Sequence, residues 1–206
     1  MEIYIVRHGE TLWNKEKRWQ GRTDIELSDY GRELARITGE GLADTHFDII
    51  YSSPLRRAYE TATLIRGDRA IEIIQCDILK ELSFGSYEGK LYADLVQDDS
   101  LTFKHFFKRP ELYIAPPDGE TLEALCERAS EFMSTVVEPL EKEKHPERIM
   151  IVAHGAMNKA IMTHIKKHEI KDFWSGKLQK NCNIIIVDYT DGKYTIIDES
   201  KLFYDA

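Results

Sequence analysis

Two short stretches place the same pair, histidine then glycine, directly after a run of apolar residues. One is Ile3-Tyr4-Ile5-Val6-Arg7-His8-Gly9 and the other Ile151-Val152-Ala153-His154-Gly155. A buried strand that runs straight into a cation, an imidazole and a glycine is doing more than packing. Glycine lets the backbone come close to a ligand, and its N–H can point at an oxyanion. If the two strands are parallel neighbours, His8 and His154 emerge at one edge of a sheet and share one small target.

Other apparent strand ends supply the remaining charges. Phe47–Tyr51 leads into Ser52-Ser53-Pro54-Leu55-Arg56-Arg57-Ala58. Ser53 and Pro54 fit a helix start, which puts both arginines in a first turn. One can aim back across the sheet edge and the other outward. Ile71–Cys76 is followed by Leu79-Lys80-Glu81-Leu82, so Glu81 is a carboxylate just past a strand end. The planar fork of arginine suits phosphate oxygens. Two imidazoles, two guanidinium groups and a carboxylate are what phosphoryl transfer to a side chain requires.

The elements that must position these groups can be read from periodicity. Residues 2–7, 47–51, 71–76 and 149–153 read as strands. Ser28 can cap a helix carrying Leu34, Ile37 and Leu42 on one face, and a second helix runs from about Pro54 to Ile65. Residues 91–96 form a short helical patch. From Thr121, apolar residues recur at three and four positions through Leu140, and 155–165 reads as a helix after the fourth strand. Cys182–Tyr189 and Lys193–Ile197 fit a hairpin around Thr190-Asp191-Gly192. Strands alternating with helices imply an α/β fold, a three-layer α/β/α sandwich with a mostly parallel sheet. Ligands of such sheets bind beyond the carboxyl ends of the strands.

The 206 residues suffice for one sizeable core, and the whole chain, 1–206, reads as a single domain. Within it, 84–118 is an irregular excursion over one face. A net charge of −8 argues against nucleic-acid and anionic-membrane partners. No leader precedes the first strand and no apolar run is long enough to span a bilayer, so the expected location is the cytoplasm. Cys76, Cys126 and Cys182 are odd in number and widely spaced, giving neither a disulfide framework nor a zinc site.

Five ordered stretches carry a family resemblance: RHGETLWN at 7–14, WQGRTDIELSDYG at 19–31, SSPLRRAYETA at 52–62, KELSFGSYEG at 80–89 and VAHG at 152–155. Together they resemble the histidine phosphatase, or phosphoglycerate-mutase-like, superfamily, and its phosphatase branches more than its mutases. The resemblance implies a phosphoglycerate-mutase-like fold and a metal-independent phosphomonoesterase acting through a phosphohistidine on His8. Arg7, Arg57 and His154 would hold the transferring group, Arg57 matching the family position better than Arg56. Glu81 would protonate the leaving oxygen and then activate water, with Glu88 as the competing carboxylate. Asn14 and Gln20 match substrate-contacting positions, and Gly155 offers a backbone N–H. No metal or other cofactor is implied, because arginine carries the charge work. The partner is a small phosphorylated substrate.

Alternatives stay open. A phosphoglycerate mutase would use the same pocket, and a non-catalytic phospho-ligand-binding module would keep its shape. Lys104, Lys108 and Arg109 face solvent or, if turned inward, favour a second anionic group. Phe103, Phe106 and Phe107 read as packing under a loop. His46, His105, His145, His164 and His168 lack comparable neighbours, and Glu141–Lys144 reads as a solvated helix end. Oligomeric state, a homodimer included, is not read from the sequence.

Overall fold

A computed structural model describes residues 1–98, 100–143 and 146–205. His145 and the end of the 141–144 charge run fall outside them. The sheet has six strands: β1 (Glu2–Arg7), β2 (Ile49–Ser52), β3 (Glu72–Gln75), β4 (Arg148–Ala153), β5 (Ile184–Thr190) and β6 (Lys193–Lys201), in the order β3-β2-β4-β1-β5-β6. The first four in that order run parallel, β5 pairs antiparallel with β1, and β6 pairs antiparallel with β5. The fold is α/β with a mostly parallel mixed sheet.

Side chains alternate across the sheet as the pleat requires. Ile3, Ile5, Ile149, Ile151 and Val187 face one apolar cluster, which they share with α5 (Leu122–Phe132) and α6 (Gly155–Lys166). Val6, Met150, Val152, Ile184 and Ile186 face the other, shared with α2 (Asp29–Gly41) and α3 (Arg56–Arg66). Helices on both faces make the three layers. Two short helices, α1 (Leu12–Lys15) and α4 (Tyr92–Gln97), lie outside this frame.

Local chemistry sets the element ends. The Ser28 hydroxyl accepts from the Gly31 N–H and caps α2. Thr121 caps α5 the same way, through the Ala124 N–H. After its last regular turn α5 continues through a π-helical turn, Met133–Val137. At the β5–β6 hairpin Asp191 and Gly192 have φ of 51° and 72°, the left-handed pair that a tight two-residue turn demands. The expected start of α3 is displaced: the helix begins at Arg56, after an extended Leu55. Ser53 is not its cap, because the hydroxyl accepts from the Leu55 N–H at 3.3 Å and also pairs with His154.

The topology creates one crevice. The segment after β1 returns through α2 on one face, while the segment after β4 enters α6 on the other. β1 and β4 are hydrogen-bonded neighbours, so the chain parts between their carboxyl ends, a switch point where open α/β sheets bind ligands.

Candidate active site

The β1–β4 register runs from Glu2 opposite Arg148 to Arg7 opposite Ala153. His8 and His154 are therefore the next residues on adjacent strands. Their rings lie 5.2 Å apart, centroid to centroid, at 59°. His8 is 3% exposed, and its Nδ1 is 2.7 Å from the Gly9 carbonyl. That acceptor fixes the tautomer, with Nδ1–H donating and the Nε2 lone pair unbonded. Burial pushes the His8 imidazolium well below the usual histidine range, and Arg57 and then Arg7 push it further. The ring is neutral at pH 7.

His154 is fully buried, and burial, then Arg57, His8 and Arg7, likewise holds it neutral. Its Nε2 is 2.8 Å from the Ser53 hydroxyl, while Nδ1 has no partner. Arg57, also fully buried, donates to the carbonyls of Thr23 at 2.9 Å and Gly21 at 2.6 Å. Burial lowers its guanidinium to about 10, with Glu81, Asp24 and Glu88 opposing the shift. It remains a cation at neutral pH. Arg7 donates to the Gln179 carbonyl at 2.5 Å, and burial lowers it too. The Nε atoms of both arginines are buried without an acceptor. The orphaned Nε donors of Arg7 and Arg57, on two residues that line one opening, suit an oxyanion. Arg56, by contrast, points outward and pairs with Glu26.

Glu81 closes the ring. Its Oε2 accepts from the Ala156 N–H at 3.1 Å and its Oε1 from Met157 at 3.0 Å and Leu82 at 2.9 Å. The carboxylate thus caps α6, whose N-cap residue His154 makes no capping bond of its own. Gly155 stands between the charges. A Cβ there would lie 3.8 Å from Arg7 Nε and 3.8 Å from Glu81 Oε2, so the missing side chain leaves the opening clear.

A cavity of about 300 Å³ joins these groups. Arg7, His8, Arg57, Glu81 and Gly155 line it, as do Asn14 and Gln20, but His154 and Glu88 do not. The Oδ1 of Asn14 accepts from the Thr11 N–H at 3.1 Å, and Gln20 Oε1 from the Thr11 hydroxyl at 2.9 Å. Glu88 instead staples two loops together. It accepts from the N–H groups of Arg22, Thr23 and Phe84 and from the Thr23 hydroxyl. Lys104, Lys108 and Arg109 are exposed and none lines the cavity. Nor do His46, His105, His164 or His168. Phe103 is packed beneath the loop as expected, whereas Phe106 and Phe107 also border the cavity. Among the described residues no group of three or more His, Cys, Asp or Glu side chains is placed to hold a metal.

Several supporting residues give no local sequence signal. Asn181 donates to the His8 carbonyl at 3.0 Å, and Gln179 donates to the Ile5 carbonyl at 3.0 Å while its own carbonyl holds Arg7. Arg128 on α5 donates to the carbonyls of Ile78 and Lys80 and pairs with Glu120 at 2.8 Å, fixing the segment that carries Glu81.

The model of the histidine phosphatase superfamily, branch 1, matches residues 3–200. The chain belongs to this superfamily. An Arabidopsis thaliana protein named metal-independent phosphoserine phosphatase is 30% identical, over 95% of this chain and 79% of its own length. A 2,3-bisphosphoglycerate-dependent phosphoglycerate mutase of Cytophaga hutchinsonii is 32% identical over 82% of this chain and 79% of its own. Among solved structures, YhfR of Bacillus stearothermophilus superposes with a TM-score of 0.88 at 33% identity, covering 98% of each chain. In this histidine phosphatase Arg7, His8, Arg57, Glu81 and Gly155 line one strand-end crevice, and the His154 ring lies against that of His8.

Proposed function

We propose that this histidine phosphatase is a metal-independent phosphomonoesterase that hydrolyses a small phosphorylated metabolite through a phosphohistidine on His8. The supporting observation is His8 itself: a neutral ring with an unbonded Nε2, within electrostatic reach of the buried Arg57 and the half-buried Arg7. In the first step the Nε2 lone pair attacks phosphorus, the P–O bond to the alcohol breaks, and protonated Glu81 gives its proton to the departing oxygen. In the second, the Glu81 carboxylate takes a proton from water, the resulting hydroxide attacks phosphorus, and the N–P bond breaks to restore neutral His8. The sum is ester plus water to alcohol plus phosphate.

Arg7, Arg57 and His154 bind the equatorial oxygens, where charge spreads in the transition state. A pre-positioned donor of this kind lowers the barrier by about 3–4 kcal/mol. The Gly155 N–H, Asn14 and Gln20 complete the oxygen contacts. Residues 84–118 act as the substrate-covering part of a single domain, since Phe84, Tyr92, Phe106 and Phe107 border the cavity. Among the described residues no helix is long and apolar enough to cross a membrane, and the three cysteines are free thiols, which supports a reducing cytoplasmic setting.

Rapid quench during turnover of a labelled phosphomonoester tests the scheme. Acid-labile, alkali-stable label on the wild type and none on His8→Ala is the expected result; equal labelling of both overturns it. Incubation with 3-phosphoglycerate and a trace of 2,3-bisphosphoglycerate separates the mutase reading. Fast isomerisation without phosphate release would establish that activity instead.

A further inference from the structure

We propose that a second cavity, beside the phosphate cradle and distinct from it, binds a small hydroxylated polycarboxylate. The site stands apart from the catalytic reading and does not depend on it. It follows from what α6 carries beyond its first turn. Asn158, Lys159, Met162, Thr163 and Lys166 recur at spacings that share one helix face, and all five border a cavity of about 290 Å³. Residues 175–177 and Gln179 line it too, as do Ile185 of β5 and Glu199 of β6.

Charge selects an anion. Lys159, Lys166, Lys177 and His168 border the cavity, against Glu199 as the one carboxylate among the described residues. The chain as a whole carries −8, so the sign is reversed locally. Glu199 is already held by Lys166 at 2.6 Å. Lys159 donates to the Ser175 carbonyl at 2.6 Å. Burial and then the charge of Lys166 lower its pKa, with Glu199 opposing. Lys177 is exposed and makes no ion pair among the described residues. An anion among these ammonium groups relieves their mutual repulsion. No arginine borders the cavity among the described residues. Separate point charges fit separate carboxylates, whereas the guanidinium forks of the cradle fit one phosphate.

A second observation asks for a donor. Asn158 is 1% exposed, and its Nδ2 donates to Gln179 Oε1 at 2.9 Å, yet its Oδ1 is buried with no partner. A buried amide oxygen without a donor is costly, and a ligand hydroxyl supplies one. Met162, Phe173 and Ile185, all buried, offer apolar contact to a short carbon chain. The volume is that of the smaller ligand pockets. Lys159 and Gln179 border both cavities, but Lys166 and Lys177 border only the second, so their substitution reports on it alone.

Calorimetric titration of the full chain with citrate, at neutral pH and low ionic strength, tests the site. A Kd of about 1 mM or tighter is expected. Inorganic phosphate at several times its product-inhibition constant should leave that Kd within threefold. Lys177→Glu is expected to weaken citrate at least tenfold; if its melting curve shows it unfolded, Lys166→Gln takes its place. Tricarballylate, which is citrate without the hydroxyl, is expected to bind at least fivefold more weakly. No binding at about 10 mM citrate overturns the proposal. So does displacement by phosphate beyond threefold, which would place citrate in the cradle. A smaller loss than stated, in the folded variant or with tricarballylate, overturns it as well.

Discussion

Glu81 and Glu88 are seven residues apart, and each carboxylate accepts from three backbone N–H groups. Glu81 takes two of its three from the start of α6 and borders the cavity, with Arg7 and Arg57 close enough to feel its charge. Glu88 takes its three from loops, where its Oε1 sits so close to Gly21 that a Cβ there would collide with it. The same number of backbone donors thus serves the proposed chemistry at one site and loop closure at the other. What separates them is access to a reacting group, a property set by the fold and not by the residue.

The scale for that contrast comes from His8→Ala, which removes the proposed nucleophile and is expected to cut kcat by about 10⁴–10⁶-fold in a phosphate-release assay, with the fold retained. Glu81→Gln comes next. Losing the proton carrier is expected to cost ~10²–10⁴-fold in kcat for a poor leaving group. Here an amide NH₂ also comes to face a backbone N–H, so an unfolding loss of about 1–3 kcal/mol is expected in urea. Glu88→Gln should share the unfolding loss without the kinetic one. It sets an amide NH₂ against backbone donors, and an unfolding loss of about 1–3 kcal/mol is expected with kcat within about threefold. If Glu88→Gln proves the more damaging to turnover in a folded protein, the assignment of the two residues is reversed.

The pH profile sharpens the comparison with a smaller effect. In the proposed mechanism His8 acts as neutral imidazole, and burial with two nearby guanidinium groups holds its pKa well below 6.5. As pH falls through 6.5 the nucleophile therefore stays competent, and kcat/KM declines only at lower pH. Arg7→Gln removes one repelling charge, so the acid limb should move upward. An acid limb already at 6.5 in the wild type would contradict the burial and charge described for the ring. The smallest expected effect is that of a chelator. With guanidinium groups neutralising the phosphate, EDTA should leave the rate unchanged, and loss restored by added metal would contradict the mechanism.

Much of this site was legible because it is local. His8-Gly9 and His154-Gly155 follow strands whose apolar alternation is plain, and the parallel register then aligns them. Arg57 follows from the helix after β2, although that helix starts two residues later than Pro54 suggests. Glu81 was a candidate without a distinguishing physical mark, since its place against Ala156 and Met157 depends on a contact 75 residues away in sequence. Arg128, Gln179 and Asn181 were invisible for the same reason: each acts through carbonyl groups that any residue supplies. The aromatic lining of the cavity was not legible: Phe106 and Phe107 read as packing under a loop, and Trp13, Trp19 and Trp174 reach the cavity from other segments.

Gly155 carries one further consequence. The contacts waiting for a Cβ there are at 3.8–3.9 Å, ordinary van der Waals separations, so alanine could be housed with no distortion of the chain. Yet in the proposed mechanism that methyl would stand between the groups that receive an oxygen of the ester. One carbon atom is then enough to turn a working hydrolase into a well-folded mimic of itself, and thermal stability would give no warning of the change.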